Sequence, residues 1–162
     1  MQDTEHSPVD ANQVSAQIDA AVGNVATTLL EVSHAIHEKP EVAFEEHFAC
    51  EVLAQTVRDH DLEVETGVYS LETAFATTIT SERAGPTVAL LAEYDALPQI
   101  GHACGHNIIA TSALGATLAL NAVAASLPGR VKLLGTPAEE RGGGKELMAR
   151  AGAFEGIDAA LM

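Results

Sequence analysis

Tryptophan is absent from these 162 residues, and the aromatic share is only 4%. Apolar residues still make up 47%, so a core can form, but it must be built mostly from Ala, Val and Leu. Lysine is scarce, three residues against five arginines. The eight basic side chains face 23 acidic ones, for a net charge of −15. A surface of that sign repels nucleic acid and anionic membranes, which excludes both as partners. Cysteine occurs only twice, at Cys50 and Cys104, with no disulfide-rich spacing. That fits a reducing, cytoplasmic interior. The polar, acidic start lacks the basic residues and apolar run of a secretory leader. No stretch reaches the roughly 18 uninterrupted apolar residues of a membrane span. The nearest, residues 108–127, is broken by Thr111, Ser112, Gly115, Thr117, Asn121 and Ser126 and reads as a buried helix. There is no internal repeat and no low-complexity tract.

What is present reads as one domain of ordinary size. Residues 1–9 read as a disordered lead-in. From Val14 to Ile36 apolar residues recur at helical spacing, and Pro40 forces a stop. A second amphipathic helix is predicted from about Phe44 to Asp59, with Cys50 as a small apolar filler. The period then changes. Residues 62–66 alternate like a half-exposed strand, 74–80 read as a Thr-rich strand, and 81–86 as a turn. Residues 87–92 are continuously apolar, as in a strand covered on both faces. A loop from Glu93 to Gly105, a long Ala-rich helix, a strand at 131–135, a loop, a short helix at 144–150 and a strand from Ile157 follow. Strand–helix alternation from residue 87 argues for an α/β fold with a mostly parallel central sheet and flanking helices. Ligands of such sheets gather at the carboxyl ends of strands.

Two motifs fall at those ends. His102-Ala-Cys104-Gly-His106 follows the strand ending near Ala92, and Glu139-Glu140 follows the strand ending near Gly135. Residues two apart in an extended segment point the same way, so Cys104 thiolate and His106 imidazole can reach one cation or a close pair. That donor pair favours zinc, with manganese or cobalt possible among carboxylates. The plainer alternative makes Cys104 an inert buried thiol and His106 a helix cap. His102 is either a third ligand or a residue that shapes the loop, and the second reading is preferred. Glu139 and Glu140 are adjacent and their side chains diverge, so one can hold a cation while the other takes a proton from water activated there. Two solvated acids are the alternative. Pro137, which fixes the approach, and Gly142-Gly143-Gly144, which lets the backbone pass close to something, argue against it. Asp95 either accepts a hydrogen bond from a ligating imidazole or caps its loop. His37-Glu38 is not a helical zinc motif, because Pro40 breaks the helix, and Gly142-Gly-Gly-Lys145 does not fit a phosphate loop.

Ala-Glu-Tyr-Asp-Ala-Leu-Pro at 92–98, Gly-His-Ala-Cys-Gly-His at 101–106, Thr-Pro-Ala-Glu-Glu at 136–140, Gly-Gly-Gly-Lys at 142–145 and Gly-Ala-Phe at 152–154 occur in order and at fitting distances. Together they resemble the amidohydrolase branch of the aminoacylase and carboxypeptidase-G type metallopeptidases, peptidase family M20. Residues 34–41 with Phe44-Glu45 resemble that family's N-terminal helix and turn. Tyr94 and Thr136 resemble its p-aminobenzoyl-glutamate hydrolase and dipeptidase-like subgroup. The resemblance implies two divalent metal ions, zinc or manganese with cobalt possible, and a zinc-peptidase-like catalytic domain. By position it implies Cys104, His106 and Glu140 as metal ligands, Glu139 as general base, and Asp95 and His102 beside them. It implies hydrolysis of amides in N-acyl amino acids, aminobenzoyl-glutamate-like compounds or dipeptides, and a homodimer for the full-length form. Two further ligand histidines and a lid and dimerisation domain are expected beyond Met162. Residues 10–162 are therefore expected to be the N-terminal part of the catalytic domain, inactive alone. A non-catalytic metal- or partner-binding remnant is the alternative. Arg141 stands where a small or acidic residue is more usual.

Overall fold

The computed structural model describes residues 10–162, so the expected lead-in at 1–9 lies outside the described residues. Helix α1 (Ala11–Glu38) starts where the Asp10 carboxylate accepts hydrogen bonds from the Asn12 and Gln13 N–H groups. It stops just short of Pro40. Helix α2 (His47–Arg58) is capped from upstream: the Glu41 carboxylate accepts from the N–H groups of Phe48 and Ala49, at 3.1 and 3.0 Å. Strands β1 (Glu65–Thr66), β2 (Phe75–Thr80) and β3 (Thr87–Glu93) follow. Helix α3 (His106–Ala122) leads through a short 3-10 turn into β4 (Arg130–Thr136), then α4 (Gly144–Arg150) and β5 (Ala159–Leu161).

The five strands form one mixed sheet in the order β1-β2-β4-β3-β5. β3 runs parallel to both β4 and β5, as the strand–helix alternation from residue 87 requires. The flank that precedes that stretch is antiparallel, β1 to β2 and β2 to β4. β1 is shorter than its alternating pattern, because only Glu65 and Thr66 find partners, opposite Ala76 and Phe75.

Side chains alternate across β3. Leu90 and Ala92 pack with Phe75, Tyr94 and Leu133 under α1, α2 and α3, where Ile36, Leu53 and Leu114 are fully buried. Cys50 belongs to this layer. Ala89 and Leu91 turn to the other face, against Leu134, Met148 of α4 and Ala153. Two-sided cover explains why β3 is apolar from Val88 to Ala92. Phe75 and Tyr94 stack at 6.0 Å and supply the large rings of an otherwise aliphatic core. Among the described residues no helix is long and apolar enough to cross a membrane.

Candidate metal centre

β3 and β4 are parallel neighbours with Glu93 opposite Thr136, so their carboxyl ends lie side by side. The loops leaving those ends carry the two sequence motifs, and they converge. Donor atoms of His106, Glu139 and Glu140 all lie within 4.8 Å of one another. His106 Nε2 is 3.7 Å from Glu140 Oε1 and 3.5 Å from Glu93 Oε2. Cys104 is exposed, not the buried thiol of the plainer reading, and it lies beside the Glu140 carboxylate, which raises its thiol. An imidazole, two carboxylates and a neighbouring thiol are a donor set that fits a divalent transition-metal ion.

Asp95 ties the two loops together. His106 Nδ1 lies 2.8 Å from the Asp95 carbonyl oxygen and 3.2 Å from its Oδ1. A carbonyl only accepts, so Nδ1 carries the hydrogen and Nε2 is the nitrogen turned toward the carboxylates. The other carboxylate oxygen of Asp95 accepts from the Glu140 N–H at 2.9 Å. One residue therefore orients the imidazole through its backbone carbonyl and fixes the backbone of the facing glutamate through its carboxylate.

The glutamate loop is held from a second direction. Glu46, fully buried at the start of α2, accepts from the Ala138 N–H at 2.8 Å through one oxygen. Through the other it accepts from the Thr73 hydroxyl at 3.0 Å. Ala138 adopts φ of 59°, a left-handed conformation uncommon for a residue with a side chain. Gly144 closes the loop from below. A Cβ there would stand 1.8 Å from the Pro137 carbonyl oxygen, so no larger residue fits.

The charges respond to this packing. The hydrogen bond to Asp95 pushes His106 up to about 9, against the opposing effect of burial. Burial works to raise the Asp95 carboxyl, but hydrogen bonds from His106 and from the Glu140 and Glu139 N–H groups outweigh it and leave it below its ordinary value. The Cys104 thiol is raised, first by the neighbouring Glu140 and then by burial and the other carboxylates, Glu139 and Asp95. His102 is lowered, chiefly by burial and then by His37 and His106. It lies outside the cluster, its two ring nitrogens without a hydrogen-bond partner, tilted against His37 at 6.2 Å between ring centroids.

Three participants escaped the sequence reading. Glu93, expected as the first residue of a loop, is instead the last residue of β3 and only 3% exposed. Lys145 donates to Glu93 and stands 3.9 Å from Glu139 Oε1. A faint signal existed for it: one of only three lysines follows directly on the glycines after the paired glutamates. Nothing local marked Glu46, whose partner Ala138 is 92 positions away.

The sequence model of Peptidase family M20/M25/M40 matches residues 89–162, the stretch that carries every residue of the cluster. Over that stretch the chain is similar to the M20 peptidases. A mouse (Mus musculus) Xaa-Arg dipeptidase is 43% identical over 87% of this chain and 36% of its own length. One of the subunits of the Escherichia coli p-aminobenzoyl-glutamate hydrolase is 32% identical, over 89% of this chain and 34% of its own length. The crystal structure of the Bacillus subtilis YXEP protein, a dinuclear metal binding peptidase from the M20 family, superposes with a TM-score of 0.76 at 28% identity, covering 83% of this chain and 41% of that one. The chain thus spans about a third of the length of the curated proteins it matches.

Proposed function

We propose that this chain carries the metal-binding part of an amide-bond hydrolase acting on dipeptides, N-acyl amino acids or aminobenzoyl-glutamate-like compounds. The observation that carries the reading is the convergence of His106, Glu139 and Glu140 donor atoms within 4.8 Å at the ends of two parallel strands. His106 and Glu140, with Cys104 beside them, would hold a divalent ion, zinc or manganese. A second ion, as in the dinuclear relative, would share the same carboxylate-rich opening. When bound, such an ion supplies Lewis acidity toward an amide carbonyl and water of lowered pKa.

The chain's own residues have separate tasks. Glu139 takes a proton from water at one carboxylate oxygen and returns it to the departing amine. Asp95 keeps His106 Nε2 presented and Glu140 in register. A cavity of about 480 Å³ opens beside Glu140, walled by Val42, Phe44, Leu97 and Pro98 with Arg141 at its edge, and gives an apolar substrate group a place next to the reacting bond. The negative surface and two free cysteines suit small-molecule substrates in a cytoplasmic setting. Residues 1–162 alone are expected to bind metal without turnover, and the longer protein to work as a homodimer. In the form that turns substrate over, Glu139→Gln should abolish hydrolysis of N-acyl amino acids and dipeptides while elemental analysis shows metal retained. Full turnover by that variant would remove Glu139 from the mechanism, and absence of zinc or manganese from the wild type would remove the metal reading.

A further inference from the structure

The Lys145–Glu93 pair is the part of this centre that the proposed chemistry leaves unused. Glu93 is a carboxylate of the right type in the right place, with Oε2 3.5 Å from His106 Nε2. It nevertheless stands outside the group of donor atoms that gather within 4.8 Å. Its other oxygen is taken by the Lys145 ammonium. Lys145 comes from the first turn of α4, directly after the glycine-rich turn, and its ammonium also lies 3.9 Å from Glu139. A positive charge is thereby lodged between Glu139 of the cluster and Glu93 beside it, in a protein that has few lysines to place anywhere.

We propose that Lys145 is a built-in counter-cation of the centre, which holds Glu93 out of the ligand set and weakens the cluster's grip on divalent ions. The inference rests on the metal-binding reading above and adds to it a residue that sets affinity. The physics is Coulombic. An ammonium and a divalent ion drawn to the same carboxylates repel each other across a few ångströms of partly buried protein, and removing the ammonium relieves that repulsion. The ammonium also supplies charge balance to the cluster when no metal is present, so the carboxylates need not repel one another apart.

Titration of the metal-free full chain with Mn²⁺, followed by calorimetry, tests this. Lys145→Met should bind Mn²⁺ about tenfold more tightly than wild type or better, and Lys145→Arg, which keeps the charge, should stay close to wild type. Glu93→Gln should bind more weakly, because Lys145 is then left without its partner and turns to Glu139. The double variant Glu93→Gln/Lys145→Met removes the pair as a neutral unit, leaves no lone buried charge, and should return to within about threefold of wild type. Equal or weaker binding by Lys145→Met overturns the proposal. So does a double variant as weak as Glu93→Gln alone, because Glu93 would then be a ligand in its own right; this arm decides the matter if Lys145→Met fails to fold. A wild-type chain that binds no Mn²⁺ and no Zn²⁺ would instead sink the metal-binding reading itself, and this inference with it.

Discussion

The loop that follows β4, from Pro137 to Gly143, and the loop that follows β3, from Tyr94 to Gly105, reach the same centre from neighbouring strands and are held in opposite ways. The first is anchored from far along the chain, by Glu46 on Ala138 and by Asp95 on Glu140. The second closes largely on itself. Leu97 and Gly101 exchange both backbone hydrogen bonds, Ala103 N–H donates to Gly101, and Gly105 N–H donates to His102. Its one long backbone tie is Ala96 N–H to Glu41. The glutamate loop thus places its carboxylates through buried, charge-bearing contacts, whereas the Cys104 loop presents an exposed thiol from a locally hydrogen-bonded turn. Under the proposed function, a proton acceptor demands a fixed position, whereas a thiol ligand would tolerate adjustment.

The comparison breaks most severely at Gly144. Gly144→Ala drives a methyl group into the Pro137 carbonyl, a backbone atom that cannot move without shifting Ala138 and Glu139. We expect a loss of about 3 kcal/mol in urea unfolding and a large fall in divalent-ion affinity. A substitution at Gly101 in the other loop, where a Cβ meets nothing nearer than 3.8 Å, should cost less even with its φ of 67°. Equal losses at both positions would mean that the two loops are equally constrained.

Glu46 sharpens the contrast next. Glu46→Ala leaves the Ala138 N–H and the Thr73 hydroxyl without their acceptor, for an expected cost of about 2–4 kcal/mol. Glu46→Gln keeps an acceptor for Ala138 and removes the charge. Burial raises the Glu46 carboxyl above its ordinary value, more than the hydrogen bonds from Ala138 and Thr73 lower it. A raised folded-state value means that the native protein holds the proton better than the unfolded chain does. The associated stability is complete below the ordinary glutamate range and is lost as pH rises through the raised value. Melting temperature followed from acid toward neutral pH should therefore fall less in Glu46→Gln than in wild type. A parallel pair of curves would show that Glu46 titrates normally.

The order of elements and most of the centre were legible because their signals are local. Hydrophobic period and Pro40 marked α1, the glycines framed α4, and two short motifs at strand ends held His106, Glu139 and Glu140, whose donor atoms converge. The antiparallel flank was hidden because β2 pairs with β4 from 50 to 60 positions away, and neither strand's own pattern declares the direction of so distant a partner. Glu93, Lys145 and Glu46 were hidden for another reason. Each does its work through a partner 52 or 92 positions away, and a single sequence carries no mark of such pairing.

The smallest effect, and the most direct view of the difference in exposure, lies in the two thiols. Cys50 faces the core from α2, where burial first, and then the charges of Glu51 and Glu46, push its thiol up to about 12. The thiolate is the reactive form, so Cys50 should not react with a thiol reagent at neutral pH while the protein is folded. Cys104 is exposed. Its pKa is raised through Glu140, so its labelling should be slow at neutral pH and quicken as pH rises. The native protein should thus give one reacting thiol, and the unfolded protein two. Added Mn²⁺ or Zn²⁺ should protect Cys104 if it joins His106 and Glu140 around the ion, while leaving Cys50 as it was. Labelling of Cys104 that ignores the metal would take the thiol out of the ligand set and leave the centre to its imidazole and carboxylates.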